Sequence, residues 1–128
     1  MSRPLLVDTD VMVDYLRGRE KAVRFLKRHA ERIVLSSITV AELYAGVKGR
    51  TERAMLDEVV SLFPVIPVTA EAAKAAGLLK RDFGKSHGVG LADAMIAATV
   101  QAENAELKTL NVRHYPMLRG LKPAYASR

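Results

Sequence analysis

The chain has 128 residues, of which 49% are hydrophobic and 27% charged, a balance typical of one soluble globular domain and not of a disordered segment. It contains no cysteine, which excludes disulfides, cysteine-ligated zinc sites and cysteine nucleophiles and fits a reducing cytoplasm. The net charge of +6 favours a polyanionic partner such as nucleic acid, or an acidic protein, and no apolar run approaches the ~20 residues of a membrane span.

Short apolar runs alternate along the chain with longer segments of helical spacing. In chain order, the predicted elements are a strand at 4–7, helices at 10–18 and 20–32, a strand at 33–37, helices at 39–49 and 53–63, an edge strand at 64–68, a helix at 70–83, a glycine-containing loop at 84–90, a helix at 91–105, and strands at 106–110 and, weakly, 121–126. This alternation predicts an α/β fold with a mainly parallel sheet of four or five strands and helices on both faces. Ligands of such folds bind beyond the carboxyl ends of the strands.

Asp8 and Asp10 flank Thr9 at the carboxyl end of the first predicted strand. Aspartate is a favoured N-cap, so either residue could simply begin the next helix. Two acids at a strand end are also typical of a catalytic or metal site. Their position leaves both interpretations open.

Glu42 follows the second predicted strand within the segment SSITVAELYAG. Thr39 and Glu42 have the spacing of a capping box, which would give the glutamate a purely structural role. A helix that begins directly after the strand would instead place Glu42 one turn beyond the edge of the sheet, near Asp8.

Asp93 belongs to the segment GLADAMIAAT, at the predicted start of a helix. The helix dipole stabilises an acid in this position. Asp93 also shares a helical face with Ile96, Ala97 and Val100, which should point inward. Because an unpaired buried carboxylate is costly, Asp93 then requires a metal ion, a basic partner or a polar network.

Asp8, Glu42 and Asp93 could converge at one edge of the sheet. Clustered carboxylates repel one another unless a cation lies between them, and oxygen ligands suit Mg²⁺ or Mn²⁺. The segment 17–32 carries seven Lys or Arg residues against two Glu, so a polyanion would be attracted nearby. This combination favours metal-assisted hydrolysis of a phosphodiester.

The motifs LLVDTDVMVDYL, SSITVAELYAG and GLADAMIAATVQAENAELKTLNVRHYPML, in this order, resemble the PIN domain, and more narrowly the VapC-type ribonuclease toxins of toxin–antitoxin pairs. The resemblance spans nearly the whole chain and implies one three-layer α/β/α nuclease domain over 1–128. It implies an acidic pocket that binds Mg²⁺ or Mn²⁺ and a metal-dependent endoribonuclease that cleaves structured RNA.

Carried over to this sequence, the resemblance makes Asp8 and Asp93 metal-binding aspartates and Glu42 a ligand or water-positioning group. Thr9, Asp10 and Thr109 match supporting polar positions. Asn111 stands where many PIN domains have a fourth acid, which argues for one metal ion and against a second. His114 and Tyr115 match an aromatic pair that we interpret as packing residues.

The resemblance also implies an RNA substrate, a cognate antitoxin whose carboxyl-terminal segment lies near the acids, and a homodimer. The RNA target and the antitoxin sequence are left open. Basic side chains of the early helices and of the last motif are candidates for contacts with the RNA backbone. They are Arg17, Arg19, Arg24, Lys27, Arg113 and Arg119.

Two alternatives fit part of the pattern. The segment DTDV matches the signature of haloacid-dehalogenase-like phosphatases, in which Asp8 would be the nucleophile and Asp10 the acid or base. A non-catalytic RNA-binding module would use the basic surface alone, although only 5% of the residues are aromatic and could stack on bases.

Overall fold

The fold is a parallel β-sheet with helices on both faces, as seen in a computed structural model that describes residues 2–126. Its elements are β1 (Leu5–Val7), α1 (Thr9–Leu16), α2 (Glu20–His29), β2 (Ile33–Ser36), α3 (Ser37–Ala45), α4 (Gly49–Ser61), β3 (Val65–Ile66), α5 (Ala70–His87), α6 (Leu91–Ala102), β4 (Glu106–Lys108) and a short 3-10 helix (Val112–His114).

The sheet has four strands in the order β3-β2-β1-β4, and every neighbouring pair is parallel. The predicted parallel sheet is therefore confirmed with four strands. β3 is an edge strand of only two residues, as its flanking prolines predict. Because β1 is central, the residue that follows it, Asp8, lies at the middle of the carboxyl edge.

The two faces of the sheet carry separate apolar clusters because successive strand side chains point to opposite sides. Val7 packs with Leu26, Leu43 and other residues of α1 to α4. Leu6 packs with α6 and with Tyr115 on the opposite face. Both strand side chains are fully buried, so β1 is the centre of the three-layer α/β/α arrangement.

Two predicted segments differ from the structure. The predicted loop at 84–90 is half helical, because α5 continues to His87 and ends where Gly88 adopts φ +65°. The weak strand predicted at 121–126 is wrong. That segment adds no strand to the sheet, and Ala124 N instead donates to Thr109 O at 2.9 Å. Within residues 2–126, no helix combines the length and apolar character needed to cross a membrane.

Candidate active site

Asp8 combines a helix-cap role with a buried position among polar side chains. Its Oδ1 accepts from Thr9 N at 2.8 Å, so the predicted cap of α1 is confirmed. Its Oδ2 accepts from Thr109 Oγ1 at 2.9 Å and from Tyr115 OH at 2.8 Å. The residue is only 6% exposed. Capping therefore uses one carboxylate oxygen, while the other is held by residues about a hundred positions later in the chain.

Asp10 connects the start of α1 to the segment after β4. Its Oδ1 accepts from Val11 N at 2.8 Å, and its Oδ2 accepts from Leu110 N at 2.9 Å and lies 3.2 Å from Thr109 Oγ1. Burial and then the charge of Asp8 raise the pKa of the Asp10 carboxyl above its usual value. The contacts give Asp10 a positioning role at the edge of the acidic site.

Asp93 lies in the first turn of α6 and faces Asp8 across one tyrosine hydroxyl. Its Oδ1 is 3.3 Å from Tyr115 OH, and its Oδ2 is 3.3 Å from His114 Nδ1. Burial raises the pKa of the Asp93 carboxyl first, and the charge of Asp8 raises it further. The predicted inward face of α6 is confirmed, since Ile96, Ala97 and Val100 are buried. The polar network that a half-buried Asp93 requires is thus supplied by His114 and Tyr115.

Glu42 reaches the other acids through Thr9. Thr9 Oγ1 lies 2.5 Å from Glu42 Oε1 and 3.2 Å from Thr39 Oγ1. The capping-box interpretation is wrong, because Ser36 caps α3 by accepting from Ile38 N at 3.0 Å and Thr39 is buried inside the helix. Glu42 is exposed and has no cap to support, so its carboxylate is available at the rim of the site.

Tyr115 is a site residue that the sequence interpretation missed. Its ring packs against Leu6 and Ile96, as the packing interpretation expects, but its hydroxyl lies between Asp8 and Asp93. Burial, followed by these two negative charges, raises the pKa of the Tyr115 phenol, so the hydroxyl stays protonated as a donor. The only sequence signal for this role was the presence of tyrosine at a core position that phenylalanine would fill equally well. His114 is exposed beside Asp93 and is not a packing residue.

Thr109 and Asn111 occupy different environments directly after β4. The Thr109 hydroxyl is fully buried between Asp8 and Asp10 and accepts from Asn111 N at 3.1 Å. The Asn111 residue itself is exposed. The structure therefore brings Thr109 into the acidic site, whereas Asn111 lies at its rim.

The predicted RNA-contacting cations lie in or directly beside α1 and α2 and in the segments that follow β4. Arg17 lines a groove of about 440 Å³ beside Glu42. Arg19 pairs with Asp14 at 3.5 Å, and Arg24 pairs with Glu20 at 3.1 Å on α2. The remaining candidates are exposed to solvent. These are Lys27, Arg113 and Arg119.

The carboxylates suit a divalent cation by their chemistry. The donors are all oxygens. Burial first, and then the charge of Asp8, raises the pKa of both Asp10 and Asp93, and the second cause is the repulsion expected between neighbouring acids. Among residues 2–126, no three His, Asp or Glu side chains are grouped closely enough to hold an ion together. Mg²⁺ does not need such a group, because it commonly binds one or two carboxylates and completes its shell with water and substrate phosphate.

The family model of the PIN domain matches residues 5–115, from β1 to Tyr115. The chain belongs to the PIN-domain family, and this membership decides against the phosphatase interpretation of DTDV. It is similar to Ribonuclease VapC10 of Mycobacterium tuberculosis, with 38% identity over 95% of this chain and 93% of the relative. Ribonuclease VapC19 of the same organism is 39% identical, over 94% of this chain and 98% of the relative.

Solved structures show the same architecture. A toxin–antitoxin complex from Klebsiella pneumoniae contains a chain that matches with a TM-score of 0.81 and 26% identity, over 94% of this chain and 98% of that chain. The predicted three-layer PIN-like fold is therefore confirmed.

Proposed function

We propose that this chain is a divalent-metal-dependent endoribonuclease and the toxin of a toxin–antitoxin pair, acting as one nuclease domain in the cytoplasm. The observation that carries the proposal is the pairing of Asp8 and Asp93 around Tyr115 OH at the carboxyl edge of a PIN-family sheet. Similar proteins named as VapC ribonucleases support RNA as the substrate.

Asp8 and Asp93 are the residues that would hold Mg²⁺ or Mn²⁺, with Glu42 as a further ligand or as the group that positions water. When bound, such an ion lowers the pKa of water and stabilises charge on a phosphoryl oxygen. Tyr115 and Thr109 orient the carboxylate of Asp8, because both hydroxyls donate to its Oδ2. Thr9 restrains Glu42 at the rim of the site.

The remaining polar residues have supporting roles in this proposal. Asp10 keeps the loop after β4 against α1 through Leu110 N, and Asn111 offers a neutral carbonyl oxygen where a second metal would need charge. Arg17 lines one groove together with Glu42, which supports a contact with RNA that enters there. We keep Arg19, Arg24, Lys27 and Arg113 as backbone candidates.

An antitoxin segment fits the groove that Arg17 lines. The groove lies between α1, α3 and α4, and its apolar walls include Leu16, Leu43 and Met55. Glu42 stands at its margin, so a peptide bound there would restrict access to the acids. Met55 is 56% exposed, an apolar side chain that such a partner would cover. We also propose a homodimer, in keeping with the resemblance to VapC toxins.

The test is cleavage of structured RNA by the parent protein and by Asp93→Asn, each with Mg²⁺, with Mn²⁺ and with EDTA. We expect EDTA to abolish cleavage and Asp93→Asn to slow it by at least about 100-fold, because a ligand charge is lost where the ion binds. Asp82→Asn, an exposed aspartate of α5 paired with Arg81, is the matched control and should cleave normally. RNA binding without any metal-dependent cleavage by the parent would favour the non-catalytic module instead.

A further inference from the structure

A second cavity, of about 410 Å³, lies between α2 and residues 124–126, beside the end of β4. Five basic side chains line it, and the described part of the chain contributes no Asp or Glu to the lining. These side chains are Lys21, Arg24, Arg28, His29 and Lys108. A cavity walled by four cations, Lys21, Arg24, Arg28 and Lys108, favours an anion.

The cations of this cavity are only partly neutralised. Arg24 pairs with Glu20, but both side chains are largely exposed, and Lys108 Nζ is as far as 3.9 Å from Glu106 Oε1. Within residues 2–126, no carboxylate lies within ion-pair distance of Arg28. The pKa of His29 is lowered by burial first and then by surrounding positive charge, including that of Arg28 and Lys108. An anion bound here would relieve this repulsion.

The cavity and the acidic site are connected through one segment of the chain. Lys108, which lines the cavity, immediately precedes Thr109, whose hydroxyl bonds Asp8 and Asp10. Ala124, on the opposite wall, donates its backbone N–H to Thr109 O at 2.9 Å. The two sites are therefore one residue apart along the chain and share the segment after β4.

Aromatic side chains complete the wall. Phe25 and Tyr125 line the cavity with ring centroids 6.1 Å apart, and Tyr125 OH donates to Asp14 at 2.9 Å. Cations beside aromatic rings suit a nucleic-acid strand, since phosphates meet the charges and the sugar or base meets the rings. An acidic peptide would use the cations but not the rings.

We propose that this cavity binds a backbone phosphate of the RNA strand next to the segment held at the acids. The inference rests on the proposed function, because it takes RNA as the substrate. Arg24 is already a candidate for contact with the RNA backbone on the basis of the sequence. The cavity adds Lys21, Arg28 and Lys108, which line it together with Arg24.

The test measures binding of a fluorescent single-stranded RNA of mixed sequence in EDTA, where metal-dependent cleavage does not interfere. The double variant Lys21→Ala/Arg28→Ala is compared with Lys74→Ala/Lys85→Ala, which removes the same charge from the exposed surface of α5. We expect the cavity variant to raise Kd by about 10-fold relative to this control. The slope of log affinity against log salt should become shallower by about 1.4, because two cations no longer neutralise phosphates of the single strand.

Single variants separate charge from folding, since Lys21 Nζ also donates to Ala126 O. Arg28→Ala should weaken binding on its own, and Arg28→Lys should restore most of it because the charge is retained. Equal affinity and equal salt slope for the cavity and control double variants would overturn the inference. The inference would also be overturned if a peptide made only of glutamate displaced the bound RNA as effectively as unlabelled RNA of the same length does.

The outcome is independent of the nuclease assay. If the parent cleaves no RNA but the cavity variant still loses RNA affinity selectively, the proposed function fails and the cavity assignment stands. If cleavage depends on Asp93 but RNA affinity does not depend on the cavity, the proposed function stands and the cavity assignment fails.

Discussion

Tyr115 places its ring in the core and its hydroxyl between two carboxylates. The residue is 1% exposed, and its OH lies 2.8 Å from Asp8 and 3.3 Å from Asp93. Hydrogen bonds to charged groups are stronger than those between neutral groups, and a buried acceptor that loses its donor keeps the full cost of desolvation. At the scale of single residues, one hydroxyl therefore fixes the positions of the two proposed metal ligands relative to each other.

Tyr115→Phe keeps the ring and removes only this hydroxyl. We expect the variant to lose about 1–3 kcal/mol of unfolding free energy, measured by urea denaturation in EDTA, because Asp8 and Asp93 lose a shared donor. RNA cleavage should also fall, since the two carboxylates are no longer oriented together. Tyr44→Phe removes a hydroxyl that donates to Asp57 on the exposed surface and serves as the control. An equal loss in both variants would contradict the assignment.

At the scale of elements, helix starts bring the polar groups to the carboxyl edge of the sheet. α1 starts directly after Asp8 at the end of β1, and α3 starts directly after Ser36 at the end of β2. Since β1 and β2 are parallel neighbours, Thr9 and Glu42 meet above the same edge. The Ser36 cap therefore also determines where Glu42 stands.

Ser36→Ala should separate this positional role from simple helix stabilisation. The Ser36 hydroxyl accepts from Ile38 N and is fully buried, so we expect a loss of about 1 kcal/mol in unfolding free energy. Thr69→Ala removes the comparable cap of α5, where Thr69 Oγ1 accepts from Ala72 N at 3.0 Å. Both variants should lose stability in urea titrations, whereas only Ser36→Ala should slow RNA cleavage. Cleavage that slows equally in both would show that stability alone matters.

At the scale of the whole molecule, the positive charge is distributed unevenly. The chain carries +6, and the cavity beside α2 gathers four of its Lys and Arg side chains around partly buried His29. Burial and the charges of Arg32, Arg28 and Lys108 lower the pKa of His29, while Glu106 opposes them. The folded protein thus binds a proton at His29 less tightly than the unfolded chain does.

This difference gives stability a pH dependence with a definite sign. Because the pKa of His29 is lowered on folding, its contribution to stability is lost as the pH falls below about 6.5. NMR titration should show the His29 pKa below 6.5 in the parent and higher in Arg28→Ala, with a smaller change in Arg81→Ala on α5. Urea titrations should show less destabilisation by acid in Arg28→Ala than in Arg81→Ala. An unchanged His29 pKa in Arg28→Ala would contradict this account.

The sequence by itself determined the local parts of this protein. Apolar runs and helical spacing predicted the four strands and most helix positions, because backbone periodicity and capping depend on residues a few positions apart. The same patterns predicted Asp8 at the end of β1 and Asp93 in the first turn of α6. The full extent of α5 was missed, since glycine-containing segments read as breaks even where a helix continues through Gly84.

The tertiary structure decided which distant residues meet. Thr109 and Tyr115 contact Asp8 from 101 and 107 positions away, and Lys108 joins α2 around the basic cavity. Such contacts leave no periodic pattern, because they arise only when parallel strands bring separate segments to one edge of the sheet. For the same reason the sequence predicted a strand at 121–126, although this segment instead contacts the residue after β4 through the hydrogen bond from Ala124 N to Thr109 O.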